Sequence, residues 1–178
     1  MRLYIPDQYG TLALGAVLGP ALAGGRTASG GLVPLLLSGP LGSGKTTLVR
    51  GLVTALPGAE QAEVSSPSFN LVNIYPTTPR VAHFDLYRAA GAAAGSAPEE
   101  YYDALEAQDV LLVAEWVENL PRADWPLEAL LLTWPQMAPT GAEQAGRTLE
   151  IRAWGKAAAD LLEALAPRLN TWEKEFQR

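Results

Sequence analysis

The chain contains no cysteine, so disulfides, thiolate metal sites and cysteine nucleophiles are excluded. Basic residues are scarce: the only lysines are Lys45, Lys156 and Lys174, and the net charge is −6. A protein that grips nucleic acid unaided normally carries a basic footprint. None is present, so any link to RNA is expected to run through a partner protein. Long apolar runs are missing too. No stretch approaches the ~20 residues of a membrane span, and the lack of cysteine suits a reducing, cytoplasmic setting. Only one histidine occurs, His83.

What is present is apolar side chain: 48% of the 178 residues. That is too much for a disordered chain and predicts a single domain over residues 1–178 with a sizeable core. The segment TLALGAVLGPALAGG, Thr11 to Gly25, has the look of a signal-peptide core. However, Pro6, Asp7 and Gln8 separate it from the single basic residue Arg2. Leu12, Gly15/Ala16, Leu18/Gly19 and Leu22 fit one face of a short helix instead.

Downstream, LVPLLLS (Leu32 to Ser38) reads as a buried strand, with Pro34 near its outer limit. KTTLVRGLVTAL reads as a helix, FNLVNIY and the stretch through HFDLYR as strands, and YYDALEA as a short helix. DVLLVAEW, LEALLLTW and TLEIRAW read as strands, and KAAADLLEALAPRL as a closing helix. Apolar strands interleaved with helices predict an α/β fold with a mostly parallel central sheet covered on both faces.

GPLGSGKT, Gly39 to Thr46, matches G-x-x-x-x-G-K-[ST] between a buried strand and a helix. The glycines let successive N–H groups curl around one anion, and the helix N-terminus adds to that field. Lys45 supplies a cation for the β- and γ-phosphates, and the Thr46 hydroxyl suits Mg²⁺. An acid is then needed at the carboxyl end of a neighbouring strand. VLLVAE supplies Glu115, and HFDLYR supplies a second, Asp85.

In HFDLYR, alternation puts Val81, His83, Asp85 and Tyr87 on one face and Ala82, Phe84 and Leu86 on a core face. Asp85 could orient the attacking water or support the metal. His83 is either a structural histidine or a group that orients Asp85. The SSPSF loop, Ser65 to Phe69, either senses the γ-phosphate or is a solvated turn.

GPLGSGKT, SPSF, HFDLYR and AEW, in that order and spacing, resemble the TsaE (YjeE) family of small bacterial P-loop ATPases. The family pattern departs at Pro40, Ser43 and Ser68 and after Trp116. The resemblance implies a P-loop NTPase-like three-layer fold and a role in forming N6-threonylcarbamoyladenosine in tRNA. ATP hydrolysis would act there on a complex of TsaD-like and TsaB-like partners, which hold the tRNA, with no membrane involved. It implies Mg²⁺ on Thr46 and Glu115. ATP would lie against Leu41, Gly42, Ser43, Gly44, Lys45, Thr46 and Thr47, with Thr11 lining the base pocket. Asp85 would serve hydrolysis, together with Lys45 and Glu115. The rival readings are a small-molecule or nucleoside kinase, for which no arginine-rich lid is evident, and a nucleotide-dependent binding module without turnover.

Overall fold

The computed structural model describes residues 1–67, 70–91, 96–135 and 146–175. Among these residues seven strands form one sheet: β1 (Arg2–Ile5), β2 (Leu35–Ser38), β3 (Val72–Tyr75), β4 (Arg80–Asp85), β5 (Val110–Glu115), β6 (Ala129–Thr133) and β7 (Arg147–Trp154). Their order is β1-β7-β6-β2-β5-β4-β3. The centre, β6-β2-β5-β4, is parallel. The margins are antiparallel: β7 reverses against β6 and pairs with β1, and β3 reverses against β4. The expected parallel sheet is therefore the middle of a mixed one.

Strand alternation sorts the core into two layers. Leu35 and Leu37 of β2, Leu111 and Val113 of β5, and Leu130 and Leu132 of β6 share one cluster. With them pack Leu14, Leu18 and Leu22 of α1 (Gln8–Gly24), Leu48 and Leu52 of α2 (Lys45–Thr54), and Leu165 and Leu169 of α4 (Lys156–Glu175). Leu36, Ala82, Phe84, Leu112 and Ala114 face the other way, against Tyr101 of α3 (Glu99–Glu106). Helices thus cover both faces of the sheet.

The segment with signal-like composition is α1. Asp7 caps it, its carboxylate accepting from the Gly10 N–H at 2.8 Å. Its buried face is Thr11, Leu14, Gly15, Leu18, Gly19 and Leu22, so Leu14 and Thr11 take the places expected of Leu12 and Ala16. The glycines have a packing reason. A Cβ on Gly15 would lie 2.2 Å from the Leu48 carbonyl oxygen, and one on Gly51 would lie 2.1 Å from the Leu12 carbonyl oxygen. The backbones of α1 and α2 touch, which brings the start of α1 to the start of α2.

Two strand expectations are corrected. β4 ends at Asp85, whose Oδ1 accepts the Tyr87 N–H at 3.0 Å; this turn diverts the chain into a 3-10 segment, Tyr87–Gly91. Tyr87 leaves the strand face and is exposed. Both faces of β4 are core, since Val81 and His83 are as buried as Ala82 and Phe84. β3 starts only at Val72, after a turn in which Pro67 accepts from Asn70 and Leu71. Ser68 and Phe69 lie outside the described residues. β1 was not foreseen.

Candidate functional site

β2, β4 and β5 end side by side, and the glycine-rich loop leaves β2 there. Gly44 caps α2 with φ of 105°, a conformation that favours glycine. In the β4–β5 register Asp85 pairs with Glu115, so the two expected acids are neighbours at the carboxyl ends of parallel strands. The Thr46 hydroxyl donates to Glu115 Oε1 at 2.8 Å. Lys45 is buried and donates to the carbonyls of Gly39 at 2.7 Å and Pro40 at 3.0 Å. Its ammonium stands 3.7 Å from the centroid of the Trp116 ring. Burial lowers its pKa from the ordinary lysine value, opposed by the charges of Glu115, Glu118 and Asp85.

Asp85 Oδ2 accepts from the Ser66 hydroxyl at 2.9 Å. The SSPSF segment therefore reaches the site through Ser66. His83 does not orient Asp85 in this way. Its Nε2 lies 2.8 Å from Glu115 Oε1, because β5 is the neighbour its side chain reaches.

A cleft of about 820 Å³ opens over these groups. Leu41, Gly42, Ser43, Gly44, Lys45, Thr46 and Thr47 all line it, as do Thr11, Asp85 and Glu115. Thr11 is buried beside Gly44, its hydroxyl donating to the Asp7 carbonyl at 3.1 Å. Leu41 is exposed, and the Ser43 hydroxyl is buried with no hydrogen-bond partner among the described residues.

Sequence reasoning missed three contributors. Arg147, the first residue of β7, donates to the Gly42 carbonyl at 2.8 Å across 105 positions of chain. Glu118 accepts from the Gly39 N–H at 3.2 Å. Trp116 forms the wall behind Lys45 and meets Tyr87 edge-on. Only Trp116, next to the strand-end acid, carried a local signal.

The donors at Thr46 and Glu115 are oxygens, which suits Mg²⁺. No cluster of three or more His, Cys, Asp or Glu occurs among the described residues. Mg²⁺ commonly takes one or two protein oxygens and completes its shell with phosphate and water, so this donor set fits it. Among the described residues no helix is long and apolar enough to cross a membrane.

Residues 5–147 match the family model "Threonylcarbamoyl adenosine biosynthesis protein TsaE". The chain is 32% identical over 164 residues to the tRNA threonylcarbamoyladenosine biosynthesis protein TsaE of a Nostoc species, covering 90% of this chain and 91% of that one. It is 35% identical over 134 residues to the Haemophilus influenzae protein of the same name, covering 68% of this chain and 76% of that one. The crystal structure of Bacillus subtilus YdiB superposes with a TM-score of 0.66 at 21% identity, over 94% of this chain and 95% of that one, and so shares the fold. The strand-end acids, the glycine loop and the matched span agree: the chain belongs to the TsaE family of P-loop ATPases.

Proposed function

We propose that the chain, working as a single domain, is a Mg²⁺-dependent ATPase, weak alone. It acts on a complex of TsaD-like and TsaB-like proteins in the formation of threonylcarbamoyladenosine in tRNA. The observation that carries this reading is the convergence of Lys45, Thr46, Asp85 and Glu115 on one cleft at the carboxyl ends of three strands. The loop amides and Lys45 hold the phosphates. In doing so Lys45 exchanges two neutral carbonyl acceptors for charged oxygens, which make stronger hydrogen bonds. Thr46 and Glu115 would hold Mg²⁺, which when bound would supply charge neutralisation for the phosphates. Asp85, anchored by Ser66 and the Tyr87 N–H, orients the attacking water. Thr11 borders the base end of the cleft. The acidic chain leaves tRNA to its partners.

Calorimetry and phosphate release test the proposal together. Lys45→Ala is expected to weaken MgATP by at least about tenfold, since each charge-assisted hydrogen bond is worth ~1.5–3 kcal/mol. Parent phosphate release should be slow and rise when both partners are added. Unchanged ATP affinity in Lys45→Ala refutes the nucleotide site; tight, salt-sensitive binding of tRNA by the isolated chain refutes the partner assignment.

A further inference from the structure

His83 is fully buried, so water does not satisfy its ring, and both nitrogens have protein partners. Nε2 lies 2.8 Å from Glu115 Oε1, which also accepts from Thr46. Nδ1 lies 3.2 Å from the Tyr75 hydroxyl, which is 3.0 Å from the Ser65 carbonyl. An ionised carboxylate only accepts, so Nε2 carries the proton and donates to Glu115. The Tyr75 hydroxyl has one proton, which it donates to the Ser65 carbonyl, and its oxygen faces Nδ1. The Asn73 side-chain amide donates to the same carbonyl, at 3.2 Å. Burial raises the Tyr75 pKa, so the phenol keeps its proton. The chain of contacts runs from the Ser65–Ser66 segment through Tyr75 and His83 to Glu115, while Ser66 itself holds Asp85.

We propose that His83 and Tyr75 are positioning residues that fix the Glu115 carboxylate for a divalent cation and tie it to the Ser65–Ser66 segment, so that Glu115 and Asp85 are set as one unit. The proposal rests on the metal role of Glu115 given above. Groups that orient a metal ligand from behind typically govern about 10–100-fold in metal affinity. A purely structural pair would lower stability and leave metal affinity alone.

The test uses the whole chain, Mn²⁺ as a spin probe and a non-hydrolysable ATP analogue. Tyr75→Phe removes one oxygen and keeps the ring. His83→Leu removes the donor, and His83→Gln restores an N–H near the Nε2 position. Tyr75→Phe and His83→Leu are expected to weaken Mn²⁺ by about 10–100-fold, with His83→Gln recovering part of the loss. Affinity for the metal-free analogue should not change. Amide exchange at Ser65 and Ser66 should accelerate in Tyr75→Phe. Parent Mn²⁺ affinity in Tyr75→Phe overturns the proposal, and that variant decides alone if His83→Leu does not fold. If the parent chain with analogue binds no Mn²⁺ at all, it is the metal role of Glu115 that fails, and the positioning proposal falls with it.

Discussion

Gly51→Ala adds one methyl group at the tightest point between α1 and α2. Its carbon would lie 2.1 Å from the Leu12 carbonyl oxygen, 2.8 Å from the Leu12 carbonyl carbon and 2.9 Å from the Leu12 Cα. All three obstacles are backbone, so no rotamer change relieves them, and the helices must part by roughly 1.3 Å or more to restore an ordinary contact. That separation loosens Leu14, Leu18 and Leu22 against Leu48 and Leu52. Overpacking of this kind costs about 1–3 kcal/mol, and the helix-propensity gain of alanine offsets ~0.5–1 kcal/mol of it. At roughly 2–4 °C per kcal/mol for a chain of this size, thermal denaturation should show a drop of several degrees. Gly24→Ala is the control: nothing lies within 4 Å of its Cβ position, so that variant should melt at or slightly above the parent. If Gly51→Ala melts as high as Gly24→Ala, the backbones of α1 and α2 are not in contact and the reasoning is wrong. Nucleotide affinity should fall along with stability, because α1 carries Thr11 to the side of Gly44.

Asp85→Asn keeps the shape and removes the charge; turnover with partners is expected to fall by ~10²–10⁴ while ATP affinity moves only a few-fold, and parent turnover would refute the role in hydrolysis. Glu128 accepts the N–H groups of Ala28 at 2.8 Å and Ala157 at 2.9 Å, and these bonds hold its pKa below the ordinary carboxylate value. A depressed folded pKa gives stability that is full above the unfolded value and lost as pH falls through the folded one. Glu128→Gln should therefore cost about 1 kcal/mol near neutrality, with the gap in urea denaturation closing in acid; a gap that does not shrink would sever the link to ionisation.

The parts of the site legible in sequence were those whose signal is local. The glycine loop is a contiguous motif, and Glu115 and Asp85 stand at the ends of apolar strands. Alternation gave one core face of β4, Ala82, Phe84 and Leu86, but not the burial of Val81 and His83 on the other, and the turn at Asp85 that frees Tyr87 depends on a side chain bonding to backbone, which alternation does not report. Arg147 and β1 were not legible because each is defined by a partner far along the chain. Arg2–Ile5 is a strand because it lies against 147–150. The link between His83 and Glu115 likewise depends on which strand lies beside β4, and no spacing in HFDLYR specifies that.

The reversed strand β7 also bears on the order in which the protein can mature. β1 pairs with β7, Leu3 opposite Leu149, and the cleft draws walls from Ile5, Pro6, Asp7, Gln8 and Thr11 and from Gly146 and Arg147. Arg2–Ile5 thus waits for residues 147–150, made much later, before its backbone groups find sheet partners. Contacts this distant in sequence form slowly because loop closure precedes any gain from them. The glycine loop and both acids exist in the chain well before Arg147 is made, yet the cleft gains its far wall only when β7 docks. Nucleotide retention by a stalled nascent chain is therefore a direct reporter of the last strand joining the sheet.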